Sequence, residues 1–312
     1  MTLWMPNKKK PLYAPMLATF GGGSVRGFKG AGGGSIPNPW NGTKYWEGTG
    51  SNWDFNGNSI STTASGTPTQ INVLSNFSNM STAHGSLGAF KFSPDGTKMV
   101  ILGYNSSMWA IHTLATPFDI TGGSTSKTEK SMGSAMYGFD VHISEDGSKL
   151  YHAGFSIVEE YSLGTPWDMN TISGIQNMTN ISGVGGIHLS SDGRYFVINS
   201  QNTNLIYVYY LSTAWDISTR GSQQTISNGG NNPRSLVVSE DGKTFVWQQT
   251  GGSNGEAIAY FECSTAWNLS TAGSTTVTGV STDDSGMGFD IAADASGIYY
   301  GSYAVENVWK FT

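Results

Sequence analysis

The sequence predicts an all-β fold built from repeated four-stranded units. Glycine is abundant, with 42 residues among 312, which is typical of a chain with many tight turns. One pattern of strand, turn and strand recurs along the chain. No segment keeps a 3.6-residue apolar period over three helical turns, which excludes a helical repeat.

The repeated unit begins with two apolar strands joined by an Asp-Gly turn. Asp-Gly favours a tight hairpin because glycine adopts positive φ and the aspartate side chain bonds the turn backbone. The fifth copy is degenerate, with two residues inserted into its turn. The copies start near residues 90, 141, 187, 236 and 289 and read "FKFSPDGTKMVIL", "VHISEDGSKLYHA", "IHLSSDGRYFVIN", "LVVSEDGKTFVWQ" and "FDIAADASGIYYG".

A third alternating run and a polar fourth run complete each unit. Between them lies a corner with an aromatic residue followed by Asp or Asn, and we expect the aromatic ring to pack between units. Four short strands in a unit of about 50 residues are typical of a β-propeller. We therefore predict a five-bladed β-propeller of four-stranded blades over residues 49–312. The corners read "LATPFDIT" (114–121), "LGTPWDMN" (163–170), "LSTAWDIS" (211–218) and "CSTAWNLS" (263–270).

The stretch "TGSNWDFNG" (49–57) has the form of a corner that lacks its preceding strand. The last unit stops at Phe311, where its own corner should begin, and Trp53 and Asp54 continue that corner in register. We therefore expect an N-terminal segment to supply the outer strand of the last blade and so to remove a sheet edge. Either 58–64 or 69–75 fits this strand. A sixth blade from residues 40–85 is the rival interpretation, although that region lacks an Asp-Gly hairpin.

Residues 1–48 precede the propeller, and we expect an extended, basic, glycine-rich arm that anchors the chain to a partner. Residues 1–40 hold five basic residues and no acidic one, which leaves 11 basic and 22 acidic residues for the rest. Charges this sparse do not predict a nucleic-acid partner. A flexible linker is the alternative, but apolar residues precede the glycines, as in an arm that orders on a protein. The expected anchoring residues are Lys8, Lys9, Lys10, Leu12, Tyr13, Phe20, Arg26 and Phe28.

The segment "PLYAPMLATFGGGSVRGF" (11–28) resembles the N-terminal segment of structural proteins from tailed phages, marine ones in particular. The corner "LSTAWDIST" also resembles propeller repeats of such proteins. The resemblance implies a virion protein, oligomeric in the particle, whose arm (residues 1–40) docks on other virion proteins. Its propeller would project for attachment or for recognition of a glycan or protein on the host surface. Both a tail and a capsid location fit.

The innermost strands place one polar residue at the same level of the channel in four of five blades. Counting four residues back from each turn aspartate gives Lys91, His142, His188, Val237 and Asp290. Two histidines and an aspartate are suitable metal ligands. We expect a polar ring lining a wet channel instead, with neither a metal nor a cofactor, and we expect Lys91 and Asp290 to be neighbours across the closure.

We expect no catalytic residues, and thus no enzyme. A propeller glycoside hydrolase is one alternative, but it needs two or three carboxylates over the channel, and the counted positions offer only Asp290. A free propeller that binds a glycan or a protein is another, in which Tyr104, Trp109 or Tyr303 would contact a sugar. The single cysteine, Cys263, replaces a leucine of the repeat and is expected in the core. No apolar run reaches the length of a membrane span.

Overall fold

The computed structural model describes residues 46–47, 54–55, 69–72, 86–104, 106–178, 181–250, 256–279, 286–292, 297–302 and 307–311. The predicted anchoring residues of the arm, together with Trp53 and Tyr303, lie outside these ranges. Within the described part of the chain, five antiparallel sheets each contain four strands, and a separate pair of strands forms a sixth, two-stranded sheet. The prediction of a β-propeller with four-stranded blades is confirmed.

Sheets 1 to 4 are each formed by four consecutive strands that pair in chain order. Each therefore corresponds to one copy of the repeat. Sheet 1 holds β4 Ser86–Phe92, β5 Lys98–Tyr104, β6 Ser106–Thr116 and β7 Asp119–Met136; sheet 2 holds β8 Asp140–Ile143, β9 Lys149–Gly154, β10 Ile157–Leu163 and β11 Ile172–Met178; sheet 3 holds β12 Val184–Leu189, β13 Tyr195–Ser200, β14 Leu205–Leu211 and β15 Arg220–Ser227; sheet 4 holds β16 Pro233–Val238, β17 Thr244–Gln249, β18 Ala257–Glu262 and β19 Thr276–Gly279.

Sheet 5 combines strands from both ends of the chain. It holds β20 Gly286–Ile291, β21 Ile298–Ser302, β22 Asn307–Phe311 and, as its outer strand, β3 Thr69–Asn72. Lys310 pairs with Thr69, and Asn307 pairs with Asn72. Of the two segments that the sequence left open, 69–75 thus contains the outer strand of this sheet.

The residues predicted for the closure divide between two sheets. Phe311 ends β22 and pairs with Ile298 of sheet 5. Asp54 lies in β2 (Asp54–Phe55), which pairs with β1 (Trp46–Glu47) in the separate two-stranded sheet, opposite Glu47. The strand that pairs with β22 therefore begins well after the Trp53–Asp54 corner.

The first strands of the five four-stranded sheets contact one another in a closed series, from β4 to β8, β12, β16, β20 and back to β4. We call the region where these strands meet the hub. Apolar side chains fill the space between consecutive sheets. For example, Phe90 of sheet 1 shares a buried cluster with Tyr299 and Val308 of sheet 5, and Val158 of sheet 2 shares another with Phe196 of sheet 3.

The corners explain why the turn glycines are needed. Trp215 has a positive φ of 63°, and its ring lies against Gly193, where an added Cβ would be 2.5 Å from the ring atoms. Gly193 itself has φ +68°, a conformation that side chains disfavour. The next residue, Asp216, accepts a hydrogen bond from the amide of Ser218 at 3.0 Å. Positive φ recurs at the other corner aromatics, Phe118, Trp167 and Trp267.

The corners also join neighbouring sheets. Tyr151 of sheet 2 donates a hydrogen bond to the carbonyl of Trp215 in sheet 3, with 2.6 Å between the oxygens. Tyr299 of sheet 5 donates to the carbonyl of Phe118 in sheet 1. Glu160 of sheet 2 accepts from the amide of Ile217 in sheet 3 at 3.0 Å. The corner backbone is thus held by the adjacent sheet as well as by its own.

Candidate functional site: the hub

Lys91 connects four of the five sheets at the hub. Its ammonium group donates to the carbonyl of Phe289 at 2.6 Å and to that of Leu236 at 3.3 Å. Its Nζ lies 3.7 Å from Asp290 Oδ1 and 4.0 Å from Asp140 Oδ1. The side chain is only 7% exposed. One lysine of sheet 1 therefore contacts sheets 2, 4 and 5.

Asp290, the partner predicted for Lys91, is held by backbone amides as well. Its Oδ2 accepts from the amide of Phe92 in sheet 1 at 2.8 Å, and its Oδ1 accepts from the amide of Ile291 at 3.0 Å. Burial raises the pKa of Asp290, while the Lys91 charge and these amides act in the opposite direction. The carboxylate joins the last sheet to the first.

Asp140 is the hub residue that sequence reasoning missed. Its Oδ2 accepts hydrogen bonds from the amides of Ile187 at 2.9 Å and Leu236 at 3.0 Å, and its Oδ1 accepts from the amide of Val141 at 3.0 Å. Burial raises the pKa of Asp140 to about 6, against the opposing effects of Lys91 and the three amides. A single carboxylate thus links sheets 2, 3 and 4.

A signal for Asp140 exists in the repeat. It lies two residues before His142, so the strand alternation that directs His142 inward directs Asp140 to the same side. The other first strands have small residues at the position of Asp140. At one of them, Gly186, an added Cβ would be 2.8 Å from the amide nitrogen of Leu236, so the strands approach closely there. The signal is therefore a single carboxylate at a position where the other four copies have small residues. These small residues are Ala89, Gly186, Ser235 and Gly288.

His142 and His188 form a second pair, with ring centroids 5.1 Å apart in an edge-to-face arrangement. The amide of Leu189 points at His142 Nδ1 over 3.5 Å, and Trp215 stacks on the His142 ring with centroids 6.2 Å apart. Burial, and then the Lys91 charge, lower the pKa of His142 to about 3. Burial and the charges of His142 and Lys91 also lower the pKa of His188. Both rings are therefore neutral at neutral pH.

The structure thus brings the predicted ring residues together as two pairs, Lys91 with Asp290 and His142 with His188. The fifth position, Val237, is buried and apolar. Within the described ranges, no group of three or more His, Cys, Asp or Glu side chains is placed to hold a metal ion. The ammonium of Lys91 occupies the position between the two carboxylates that a cation would take.

The two adjacent carboxylates of β10, Glu159 and Glu160, have structural partners. Glu159 Oε2 lies 2.9 Å from His152 Nδ1 and accepts from the Tyr161 hydroxyl at 3.0 Å. Glu160 contacts Lys149. Cys263 is buried in the core between sheets 3 and 4, and burial raises the pKa of its thiol to about 11, so it is not an activated nucleophile.

Comparisons with known proteins concern the fold. The family model described as "Lactonase, 7-bladed beta-propeller" matches residues 157–267, a stretch that runs from sheet 2 into sheet 4. No curated protein matches the chain. Among the described residues, no helix is long and apolar enough to cross a membrane.

Two solved structures illustrate the similarity. Hydrazine synthase from Kuenenia stuttgartiensis has a TM-score of 0.45 and 16% identity, with 69% of this chain and 55% of that chain covered. The match thus spans about half of the hydrazine synthase chain. The β-propeller domain of Cps50 (Swd1) from Myceliophteria thermophila has a TM-score of 0.44 and 9% identity, with 73% of this chain and 96% of that chain covered. The family match and the four-stranded sheets together show that this chain carries β-propeller repeats.

Proposed function

We propose that this chain is a structural protein of a tailed-phage virion whose propeller is an interaction module without enzymatic activity. The observation that carries this proposal is the state of the hub. Its carboxylates accept hydrogen bonds from backbone amides of the sheets and pair with a buried lysine. Because the charged groups of the hub join the sheets to one another, we assign the function to the outer surfaces and to the arm.

The hub geometry favours binding over hydrolysis. A catalytic carboxyl group exchanges a proton with substrate or water and needs an oxygen that faces the reacting atoms. Asp140 uses both oxygens on amides, and so does Asp290. Between them lies the Lys91 ammonium. These groups tie sheets together and leave no carboxylate oxygen directed at a ligand.

We further propose that the five four-stranded sheets form one closed five-bladed ring. The support is the closed series of contacts between first strands and the origin of sheet 5 from both ends of the chain. Deletion of residues 51–75, which removes β3, is expected to lower the melting temperature sharply, because β22 loses its partner. Deletion of residues 1–40 is the control and should leave the melting temperature nearly unchanged. Equal, small effects of both deletions would contradict the closed ring.

The attachment role rests on residues 1–40. Their resemblance to N-terminal segments of tailed-phage structural proteins and their basic charge against the acidic remainder of the chain support docking on other virion proteins, either at a tail or at a capsid. Replacement of the basic cluster Lys8, Lys9 and Lys10 by alanine should reduce incorporation into particles. Replacement of Lys127, Lys130 and Lys243 in the propeller, which removes the same charge, should not.

The virion location is tested on purified particles from the lysate of a culture that carries the gene. Immunogold labelling with an antibody against the propeller is expected to decorate each particle at fixed positions. Unlabelled particles, with the protein recovered free in the supernatant, would contradict the virion role and support a free binding propeller.

A second candidate is hydrolysis, favoured by the match of residues 157–267 to a lactonase family model. A panel of lactones and glycosides incubated with the purified chain tests it. We expect no turnover. Turnover that disappears in both Asp140→Asn and Asp290→Asn, while both variants keep their fold, would establish an active site at the hub.

A further inference from the structure

Four aromatic rings and an arginine gather where the chain enters the hub. Phe139 lies directly before Asp140, and its ring centroid is 5.9 Å from those of Tyr104 and Phe155 and 6.5 Å from that of Tyr137. The Arg234 guanidinium lies over the same ring, 4.7 Å from its centroid. We call these five residues the aromatic cluster. They come from sheets 1, 2 and 4 and the connection between the first two.

The aromatic cluster has a buried floor and an exposed rim. Phe139 is 5% exposed, whereas Tyr137 is 49% and Phe155 is 47% exposed. Leaving large aromatic surfaces in water forgoes the stabilisation that burial would give. Exposed apolar surface that is gathered in one place marks an interaction site more often than a single exposed side chain does. The rim of the aromatic cluster is therefore the strongest candidate binding surface on the described part of the chain.

The backbone beneath the rim is fixed in advance of any ligand. His152 Nε2 lies 3.2 Å from the carbonyl oxygen of Tyr137, which can only accept, so Nε2 is the donor. The other nitrogen, Nδ1, lies 2.9 Å from Glu159 Oε2. The carbonyl of Phe155 accepts from the amide of Val184 at 2.9 Å. A surface held in this way loses little conformational entropy when it binds.

The chemistry of the aromatic cluster selects the class of ligand. The four flat rings, two of which bear a phenolic hydroxyl, complement a ligand that has both C–H faces and hydroxyl groups, as a sugar ring has. Arg234 already places a positive charge on Phe139, which disfavours a cationic ligand. Residues 41–312 hold 11 basic against 22 acidic residues, which disfavours a polyanion.

We propose that the aromatic cluster is a binding site for a neutral glycan. This inference deepens the proposed function, on which it rests, by naming what the projecting propeller contacts. Tyr137 and Phe155 would stack on sugar rings, and Phe139 and Arg234 would form the base of the site. His152 is a positioning residue, because it acts through the backbone of Tyr137.

The test uses the full chain on an array of neutral and uronic-acid-containing bacterial surface oligosaccharides, followed by titration calorimetry with the best neutral binder. Tyr137→Ala and Phe155→Ala should each weaken binding about ten-fold or more, as expected for aromatic anchors of a binding site. Tyr137→Phe keeps the ring and should retain most of the affinity, which separates stacking from misfolding.

Tyr210→Ala is the matched control. Tyr210 is 51% exposed and lies on β14, edge-on to Tyr195 with centroids 5.6 Å apart. It should leave binding unchanged. The proposal is overturned if no neutral oligosaccharide binds, if only acidic ones bind, or if Tyr210→Ala weakens binding as much as Tyr137→Ala does.

Whole host cells separate a glycan from a protein receptor. Periodate treatment, which oxidises sugars, should abolish binding of the chain to cells, whereas protease treatment should not; the reverse pattern would overturn the glycan assignment. Failure of the virion role would give a different result. The particles would be unlabelled, but the purified chain would still bind the oligosaccharide through Tyr137. If the particles are labelled but the purified chain binds no glycan, only the glycan inference is contradicted.

Discussion

The hub and the aromatic cluster are adjacent in the chain, since Asp140 follows Phe139, yet they use their side chains in opposite ways. At the hub, Lys91, Asp140 and Asp290 are buried and bonded to the backbone of several sheets. In the aromatic cluster, apolar rings remain half exposed although a buried ring lies beside them. In the described part of the chain, the buried charged groups join the sheets to one another, whereas the rings of Tyr137 and Phe155 stay half exposed to solvent.

The largest effect is expected from Asp140→Ala. It leaves the amides of Ile187 and Leu236 without acceptors and removes one of the two carboxylates beside Lys91. Breaking a buried pair in this way costs about 3–5 kcal/mol. Urea unfolding of the parent protein and of Asp140→Ala measures this loss of free energy of unfolding. Asp146→Ala, in an exposed turn of the same sheet, is the control, and a similar loss in both variants would argue against a special role of the hub.

The hub should also make stability depend on pH. The pKa of Asp140 is raised from 3.8 to about 6, so the folded state binds the proton more tightly than the unfolded state. The resulting stabilisation is complete below about pH 3.8 and is lost as the pH rises through about 6.

His142 acts in the opposite sense, because its lowered pKa makes protonation favour the unfolded state as the pH falls below about 6.5. The difference between the parent protein and Asp140→Asn isolates the aspartate. Urea unfolding from pH 4 to 7 should show that the free energy of unfolding of the parent protein declines with rising pH by up to about 3 kcal/mol more than that of Asp140→Asn. Parallel curves for the two proteins would contradict this assignment.

A smaller effect is expected from Gly193→Ala, which tests the scaffold away from the hub. The substitution combines a strained positive φ with a Cβ placed 2.5 Å from the Trp215 ring, and about 2–3 kcal/mol is expected. Gly174→Ala is the matched control, since Gly174 has φ +63° but nothing within 4 Å of the added Cβ. It should cost about 1 kcal/mol. Equal losses would show that the ring contact contributes nothing.

The smallest effect is expected from Tyr137→Ala. Because this ring is half exposed, its removal should lower the free energy of unfolding by about 1 kcal/mol or less. Phe139→Ala, at the buried floor, should cost about 3–5 kcal/mol. Chemical denaturation of the two variants compares them directly. A loss at Tyr137 as large as that at Phe139 would indicate that the rim holds the fold together.

The repeat made much of the scaffold predictable. Asp-Gly turns and aromatic corners recur because each copy of the repeat forms the same hairpin and the same corner. Their positions could therefore be inferred from periodicity alone. Asp140 was not predicted because an aspartate occurs at this position in only one copy of the repeat. The other copies have small residues there. The sequence also could not show whether 58–64 or 69–75 forms the outer strand of sheet 5, since no local pattern distinguishes the strand that pairs with β22.

The grouping of the hub residues depends on contacts across the molecule. Periodicity placed Lys91, His142, His188 and Asp290 at one level, but it did not show that they would form two pairs. The aromatic cluster was even less accessible, because Tyr104, Phe155 and Arg234 belong to different sheets. Of these residues only Tyr104 was considered from the sequence, as one of three aromatic residues that would contact a sugar.

The origin of sheet 5 has a consequence for synthesis. β3 is synthesised before any strand of sheets 1 to 4, whereas its partner β22 is synthesised after all of them. Until then β3 has no partner in this sheet, and pairing it requires closing a loop that contains all of sheets 1 to 4, a slow step for contacts so distant in sequence. The nascent chain therefore carries β3 without this partner while sheets 1 to 4 are synthesised, and an unpaired strand edge favours aggregation during that time.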